Sequence, residues 1–483
     1  MGKALGIDHL PLEVLEVLIT FLSANDLTNC IGVSQTWYSI FSNDLFWKRH
    51  CIGSSNDYFS TTKCLVEPGF ELKNDTVLPI QENRLRFLQE QHLLKNWRCG
   101  RFKKEEIEFD CDDSISYNIN VSFLDNDHVC LHLTYETQVW NLADTPVLVL
   151  TIPYCLSELW EANIYKIVNG NLIVVIQCNV VQVYKICLDS KSWVLYHVFF
   201  FDKPEDFSRS LTADSDVDSI FVSTCSDFSE VNCECVVCGQ YMIGAYINGE
   251  SPLLHIWDIK TGKKVKEDKY EVGQIQYITF KSTKQVTDKV LVTYKLKNVT
   301  NIGGNVGRWS SIIYDTSLLQ FILPSRFVHN GSVLYFDGHL SVIDDTPIKI
   351  VHHHDAMHQN ETMTEPSKSL PDYVKYVTSV KPLGSNLLIS TKQQIYIVNT
   401  VNLETCNLMK ADFRLDHIEV LAGRFVLLHE IDYKSIKEVW EIGKSCRKVL
   451  EFPEDSGTYV ASNSVCSKAV LEQGNKLIVL NFW

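Results

Sequence analysis

Residues 255–262 have the sequence His-Ile-Trp-Asp-Ile-Lys-Thr-Gly, and this stretch decides the fold of most of the chain. It is the end of a strand that finishes with apolar and aromatic residues, followed by a polar residue and a turn. The same unit, a pair of strands around a tight turn of which the second ends in this way, recurs along the sequence. Its other copies are Val139-Trp140-Asn141, Val183-Tyr184-Lys185, Ile313-Tyr314-Asp315, Ile397-Val398-Asn399, Val439-Trp440-Glu441, the weaker Val342-Ile343-Asp344 and the terminal Val479-Leu480-Asn481.

The spacing of these units predicts a β-propeller over residues 101–483. Their first strands begin near residues 128, 172, 242, 290, 334, 387, 425 and 469, and most intervals lie near the period of about 40–45 residues of a four-stranded blade. We expect seven or eight blades, because the longest interval holds either one insertion or an extra weak blade near Ser219–Ser223. Ile107-Glu108-Phe109 is predicted to pair with the last blade and close the ring. A pair of β-sandwich domains is the alternative.

The first fifty residues have a helical pattern instead. After Leu10-Pro11, apolar residues recur at steps of three and four from Val14 to Leu22, which predicts a helix with one apolar face and Pro11 at its first position. Capping residues from Ser23 to Asp26 separate it from a second short helix, and Ser34 is predicted to cap a third. Three helices this short bury little surface alone, so we expect a partner to cover one face.

The order of these residues resembles the F-box, the motif that binds the Skp-type adaptor of cullin–RING ubiquitin ligases. The resemblance covers about residues 8–50, and Ser34 and Thr36 depart from the usual residue types. A generic helical hairpin is the alternative. The motif positions that carry the resemblance are Leu10, Pro11, Glu13, Leu15, Leu18, Phe21, Leu22, Asp26, Leu27, Val33, Ser34, Trp37, Leu45 and Trp47.

The strand repeats resemble degenerate WD repeats, and the junction between the two regions supports the same family. Residues 51–100 are predicted to form a linker with a helix over 82–96 that Gly100 stops. The exit Asn96-Trp97-Arg98-Cys99-Gly100-Arg101 is similar to the junction found in F-box/WD-repeat proteins. The predicted fold class is therefore α+β multidomain: a small helical domain at 1–50, the linker, and an all-β WD-type propeller of seven or eight blades.

The composition excludes several functions. The chain has 44 basic and 59 acidic residues, for a formal net charge of −15. Such an acidic protein is unsuited to binding the phosphate backbone of DNA or RNA. The longest uncharged run, Ile167–Tyr184, is interrupted by Asn and Gln, so we expect no membrane span. Sixteen scattered Cys and the polar Asp8-His9 near the N-terminus predict a reducing compartment. We expect a cytoplasmic location, with the nucleus as an additional one.

Four clusters suggest chemistry, and for each a simpler account is preferred. Cys233, Cys235 and Cys238 could bind zinc but lack a fourth ligand at a suitable spacing. His352-His353-His354 with His358 is interpreted as a polar loop, and Ile302–Gly307 as a hairpin loop without the Lys-Ser/Thr of a phosphate site. No nucleophile elbow is present. We therefore expect no catalytic residue, no metal and no cofactor.

The resemblance implies a non-catalytic substrate-recognition component of a Skp–cullin–F-box ubiquitin ligase. Its partners would be the Skp-type adaptor, through it the cullin and the RING subunit, and an unknown protein substrate. The alternative is an adaptor-bound interaction scaffold that does not lead to ubiquitination. A third interpretation is a metal-binding sensor that uses the three Cys residues. The resemblance places the adaptor contacts at Leu10, Pro11, Leu15, Leu18 and Trp37.

Propeller topology suggests where a substrate would bind. The loops between second and third strands, together with the links between blades, lie on the face that such families usually use. Both a phosphorylated and a basic or unmodified substrate remain open, because Arg suits phosphate but only seven Arg follow residue 100. The basic residues predicted on these loops are Arg209, Arg308, Arg326, Lys392 and Lys434.

Overall fold

The structure is a computed structural model of the 483-residue chain. It describes residues 10–51, 58–71, 80–109, 120–133, 136–154, 164–177, 180–200, 233–248, 251–269, 275–283, 286–296, 309–322, 327–329, 333–336, 340–343, 348–352, 368–369, 377–383, 386–400, 402, 404–421, 424–430, 436–442, 446–452 and 457–483.

Helices occupy the N-terminal fifth of the described chain. They are α1 (Leu12–Thr20), α2 (Ala24–Ile31), α3 (Gln35–Phe41), α4 (Asp44–Lys48), α5 (Tyr58–Thr61) and α6 (Glu82–Cys99). Among the described helices, none is long and apolar enough to cross a membrane.

Local capping explains where these helices begin and end. Ser23 and Asp26 form a capping box at the start of α2, and the Ser34 hydroxyl accepts a hydrogen bond from the Trp37 amide at the start of α3. Pro11 lies one position earlier than predicted, as the N-cap of α1, because its extended backbone precedes the first helical turn. Gly100 ends α6 with φ of 60°, a left-handed conformation that glycine adopts without steric cost.

The rest of the described chain is β-structure. The strand that follows α6 is β1 (Lys103–Glu108). Blade 1 consists of β2 (Asn120–Phe123), β3 (His128–His132), β4 (Glu136–Asn141) and β5 (Val147–Pro153). Blade 2 consists of β6 (Ile164–Asn169), β7 (Leu172–Gln177), β8 (Val180–Cys187) and β9 (Ser192–Phe200). Blade 3 consists of β10 (Cys233–Cys238), β11 (Tyr241–Asn248), β12 (Ser251–Asp258) and β13 (Lys263–Lys269). Blade 4 consists of β14 (Ile275–Thr283), β15 (Val286–Leu296), β16 (Trp309–Asp315), β17 (Gln320–Phe321) and β18 (Phe327–His329).

The second half of the ring follows the same plan. Blade 5 consists of β19 (Val333–Phe336), β20 (Leu340–Ile343), β21 (Lys349–His352) and β22 (Lys368–Ser369). Blade 6 consists of β23 (Ser379–Leu383), β24 (Asn386–Ser390), β25 (Gln394–Asn399) and β26 (Thr405–Lys410). Blade 7 consists of β27 (Leu415–Leu421), β28 (Phe425–Glu430), β29 (Ile436–Glu441) and β30 (Arg447–Glu451). Blade 8 consists of β31 (Thr458–Ser462), β32 (Lys468–Gln473) and β33 (Lys476–Asn481), with β1 as its outer strand.

The described ranges thus contain eight antiparallel sheets arranged as a closed ring. A cluster of buried apolar side chains lies between each pair of neighbouring blades, including between blade 8 and blade 1. The predicted closure is confirmed, because β1 pairs with β33 from Lys103 opposite Asn481 to Glu108 opposite Lys476. The choice between an insertion and an extra blade near Ser219–Ser223 falls outside the described residues.

A β-bulge recurs where the third strand of a blade meets the outer strand. It lies between Val139 and Trp140 in blade 1 and at the matching position of blades 2, 3, 6 and 7. The weaker unit at Val342-Ile343 also ends the second strand of a hairpin, in which β20 pairs with β19. Its two strands are the first and second of blade 5, whereas the other copies end the third strand of their blades. β18 pairs with β16 of blade 4, and blade 5 begins at Val333.

A substitution at Gly262 would test the packing between blades 2 and 3. Its φ is +67°, and a Cβ there would lie 2.4 Å from Nδ1 of His197. We expect Gly262→Ala to lower the free energy of unfolding by about 2–3 kcal/mol, through backbone strain and this clash. Gly474→Ala is the matched control, since Gly474 has φ of +62° but nothing within 4 Å, and it should cost only about 1 kcal/mol. Equal losses in urea unfolding would show that His197 does not constrain Gly262.

Candidate functional site

Helix α1 has apolar side chains on two sides, and only one of them is covered. Leu15 and Ile19 are buried in the helical core at 7% and 2% exposure. Val17 and Phe21 point away from it and are 60% and 81% exposed. Exposed apolar side chains of this size, close together on a small domain, indicate a protein-binding surface.

We call the exposed apolar side of α1 and its C-cap residue the α1 surface, and it consists of Val14, Val17, Leu18 and Phe21, each at least 43% exposed. The helical domain also exposes Val33 and Leu45, each at 62%.

The five predicted adaptor contacts take different positions. Pro11 and Leu18 are exposed, whereas Leu15 is buried in the helical core and contributes to any interface only through packing. Leu10 and Trp37 are half-buried against the same core. The Trp37 and Phe41 ring centroids are 5.4 Å apart, and the backbone amide of Trp37 donates a hydrogen bond to the Ser34 hydroxyl. Whether these residues contact an adaptor stays a prediction.

The helical domain is fixed to the first half of α6. The Trp47 ring packs 5.1 Å from the Phe87 ring, and its indole donates to the Phe41 carbonyl at 2.9 Å. At the start of α6, the Asp44 carboxylate accepts hydrogen bonds from the backbone and side chain of Asn83. These contacts prevent α6 from rotating relative to the helical domain.

The second half of α6 is fixed to the propeller. Trp97 is 1% exposed and stacks on Phe482 with 3.5 Å between ring centroids. Its indole donates to the Cys466 carbonyl at 2.9 Å, and the side-chain amide of Asn96 donates to the Phe482 carbonyl at 2.9 Å. One rigid helix therefore carries contacts to both domains.

Three charged groups reinforce this junction at blade 7. Glu441 accepts hydrogen bonds from the guanidinium groups of Arg98 on α6 and Arg447 on β30, at 2.6–3.0 Å. Burial alone would raise the pKa of Glu441, but the two guanidinium groups hold it below its usual value. The carboxylate thus links the helix to the outer part of the blade.

A second anchor, around Tyr58 of α5, was not predicted. Lys468 is 1% exposed, donates to the Tyr58 hydroxyl at 2.8 Å and forms a salt bridge with Asp127 of blade 1. Burial raises the pKa of Tyr58, so its hydroxyl keeps the proton that it donates to Asp127. Trp483 adds to this anchor: its indole donates to the Thr62 carbonyl at 2.9 Å. The linker is therefore tied to both blades at the point where the ring closes.

All of these anchors lie on one face of the propeller. Asp127 and Cys466 lie in turns between first and second strands, and Glu441 is the last residue of the third strand of blade 7, before its turn to the fourth strand. Lys392 lies between β24 and β25, a second-to-third-strand turn, and therefore on the opposite face. The helical domain and the predicted substrate face are on opposite sides of the ring.

Of the predicted substrate residues, Lys392 is described. Its carbonyl accepts a hydrogen bond from the Leu415 amide at 2.7 Å, which ties its turn to the first strand of blade 7. The other predicted substrate residues, Arg209, Arg308, Arg326 and Lys434, lie outside the described residues.

The cysteines do not form the metal site considered above. Cys235 and Cys238 are an odd number of positions apart on β10, so their side chains face opposite sides of the sheet. Cys235 packs with the cluster between blades 2 and 3, and Cys238 with the cluster between blades 3 and 4. Across the described ranges, no group of three or more His, Cys, Asp or Glu could hold a metal ion. His353, His354, His358 and residues 302–307 are outside those ranges.

Comparisons with known proteins agree with the helical domain. Residues 7–53 match the model of the F-box-like family, which confirms the resemblance found in the sequence. The combination of this domain with a β-propeller is consistent with the architecture of F-box/WD-repeat proteins. A comparison with curated proteins gave no match.

Solved structures that are similar to the chain, at low identity, include the following two. Sqt1 of Saccharomyces cerevisiae has 8% identity and a TM-score of 0.47, with 78% of this chain and 98% of that chain covered. The Dos1 propeller has 11% identity and a TM-score of 0.48, with 79% and 95% covered. These values carry no information about function.

Removing the Trp97 side chain should loosen the junction. Trp97→Ala deletes a buried stacked ring and an indole hydrogen bond, so we expect the free energy of unfolding to fall by about 3–5 kcal/mol in urea titration. Trp97→Phe keeps the ring stack and should lose about 1 kcal/mol, the net value of the hydrogen bond. A Trp97→Ala protein as stable as the wild type would contradict the assigned role.

The ion pairs of Glu441 with Arg98 and Arg447 should contribute to the free energy of unfolding in a pH-dependent way. Because its folded pKa is depressed below 4.5, the contribution is present above that pH and is lost as pH falls through the folded pKa. We expect Glu441→Gln to cost about 1 kcal/mol at pH 7, a difference from wild type that shrinks below pH 4.5. Glu108→Gln, in an ion pair whose carboxylate is 71% exposed, is the control and should change little. A pH-independent difference would assign the loss to packing.

Proposed function

We propose that this protein is the non-catalytic substrate-recognition component of a Skp–cullin–F-box ubiquitin ligase. The α1 surface binds the Skp-type adaptor, through which the cullin and RING subunits are recruited. The propeller face that includes Lys392 binds a protein substrate. We propose a cytoplasmic location for this ligase, with the nucleus as an additional one.

The observation that carries this proposal is the uncovered α1 surface within the segment that matches the F-box-like family. Leu15 and Ile19 already supply the core of the helical domain, so Leu18 and Phe21 are not needed for its packing. Their exposure costs solvation free energy that a bound partner would recover, at about 25 cal/mol per Å². An adaptor that covers this surface accounts for both the family match and the exposure.

The arrangement of the anchors supports the substrate part of the proposal. A ligase receptor does no covalent chemistry, and it accelerates transfer by holding a substrate lysine near the activated ubiquitin. Such proximity requires a fixed geometry between the adaptor and the substrate. Here α6 is packed on the helical domain through Phe87 and on the propeller through Trp97, with no hinge between them in the described helix.

The adaptor interface can be tested by co-purification of the full chain with the Skp-type adaptor and cullin. We expect Leu18→Glu together with Phe21→Glu to weaken capture by about tenfold or more, because both carboxylates would be placed in an apolar interface. Leu318→Glu is the control, since Leu318 is an apolar residue on the propeller whose exposure, 63%, lies between those of Leu18 and Phe21. It should be captured like the wild type.

Two outcomes would contradict parts of the proposal. Failure of folded wild-type protein to capture the adaptor would reject the ligase role altogether. Capture of adaptor and cullin without ubiquitin transfer to propeller-bound proteins would favour the interaction scaffold.

A further inference from the structure

The outer strands of the blades differ sharply in how their free edges are protected. An unpaired strand edge invites pairing with another chain, and proteins discourage this with charged residues, Pro or coverage. Charged side chains dominate β1 (Lys-Lys-Glu-Glu-Ile-Glu) and β13 (Lys-Lys-Val-Lys-Glu-Asp-Lys), and they are frequent in β30. These three edges are therefore protected in the usual way.

The outer strand β9 lacks this protection. Its sequence, Ser-Trp-Val-Leu-Tyr-His-Val-Phe-Phe, contains no Asp, Glu, Lys, Arg or Pro in nine residues. It ends the sheet order of blade 2, and no other described strand pairs with its outer edge. Three of its apolar side chains are well exposed: Trp193 at 36%, Val194 at 47% and Tyr196 at 37%. The neighbouring β5 is also uncharged but ends in Pro153, which limits pairing.

The surroundings of β9 are basic, in contrast to the acidic chain. Lys185 lies opposite Val194 and places its ammonium group 5.5 Å from the Tyr196 ring centroid. Lys191 is exposed in the turn before β9, and the Lys260 carbonyl accepts a hydrogen bond from the Tyr196 hydroxyl at 2.7 Å. Two carboxylates are also near: Asp189 is exposed in the turn before β9, and Asp258 accepts a hydrogen bond from the Lys260 amide and acts electrostatically on His197 of β9.

We propose that β9 is a docking edge for an extended segment of a partner protein in which apolar residues alternate with Asp or Glu. The segment pairs with residues 192–195, because the bulge at Tyr196 interrupts the regular ladder beyond them. Its apolar side chains contact Trp193 on one face of the sheet, and its carboxylates lie on the other face, which carries Val194 and Lys185. Lys191 and Lys260 add positive charge nearby. Strand addition of this kind draws affinity from main-chain hydrogen bonds and selectivity from alternate side chains.

This site is separate from the two surfaces of the proposed function. The exposed part of β9 is its first half, which begins at the turn after β8 and so lies on the face that carries the helical domain, away from Lys392. The α1 surface is on α1 and its C-cap residue Phe21 in the helical domain, not on blade 2. The docking edge therefore stands whether or not the chain binds an adaptor.

The test uses the full chain and a fluorescein-labelled peptide, Glu-Val-Asp-Ile-Glu-Val, in fluorescence anisotropy. We expect saturable binding that weakens as salt rises. Val194→Glu should weaken it by about tenfold or more, because it adds a repelling charge to the contact. Leu408→Glu is the matched control, since Leu408 is 50% exposed on the outer strand β26 of blade 6, and it should bind like the wild type. Circular dichroism confirms that both variants are folded.

Two control peptides separate the sources of binding. A version with Lys at every acidic position should lose binding, and a version N-methylated at alternate amides should lose it too, because it cannot form the ladder. Absence of binding by Glu-Val-Asp-Ile-Glu-Val itself, or equal binding by its N-methylated version, overturns the proposal. So does a concentration-dependent dimer in sedimentation that Val194→Glu abolishes, because the occupant would then be a second copy of this chain.

Discussion

The pairing of β1 with β33 is the constraint on which the rest of the structure depends. It joins Lys103 to Asn481, across most of the length of the chain, and completes the last blade with the strand that directly follows α6. A blade cannot bury both of its faces alone, so the ring gains its stability from the clusters between blades, and each cluster requires closure. Because α6 leads directly into β1, closing the ring also determines where the helical domain lies.

The linker uses that closure point a second time. Lys468 on β32 and Asp127 in blade 1 belong to the two blades that meet there, and Tyr58 of the linker bonds to both. A buried ammonium group is costly unless it is paired and hydrogen-bonded. The Tyr58 hydroxyl supplies one of its partners, so docking of the linker and closure of the ring support each other. The predicted adaptor and substrate faces are thereby held at a fixed separation, which is the property that catalysis by proximity needs.

Features that depend on local sequence were predictable, and features that depend on distant contacts were not. Ser23 and Ser34 cap their helices as expected, and Gly100 stops α6, because capping involves residues only a few positions apart. The alternation of the strands and their period were sufficient to predict the propeller and its closing strand. The Lys468 anchor was missed because its partners are hundreds of positions away. Its only local signal is a lysine at the start of the otherwise apolar run Lys468–Leu471.

The candidate site, too, could be predicted only in part from the sequence. The F-box-like pattern identified the right segment, but α1 is apolar on two sides, and the spacing of its residues does not show which side faces inward. The structure does: Leu15 packs inward while Leu18 faces solvent, so two residues predicted as equivalent contacts have different roles. In blade 5, likewise, the predicted hairpin is present, but the sequence did not show that its strands are the first and second of the blade, with β18 paired to the preceding one.

Neither the strand repeat nor the propeller fold determines which outer strands are charged. A propeller would close equally well with charged residues on every outer strand, as β13 shows. The second half of β9 packs between blades 2 and 3 through Phe199, but the lack of charge on its exposed first half is not needed to build the ring and carries the aggregation risk of an exposed apolar edge. The lysines around it limit that risk by repelling a second basic edge while they attract an acidic one. Selection for such a surface makes physical sense when something binds there.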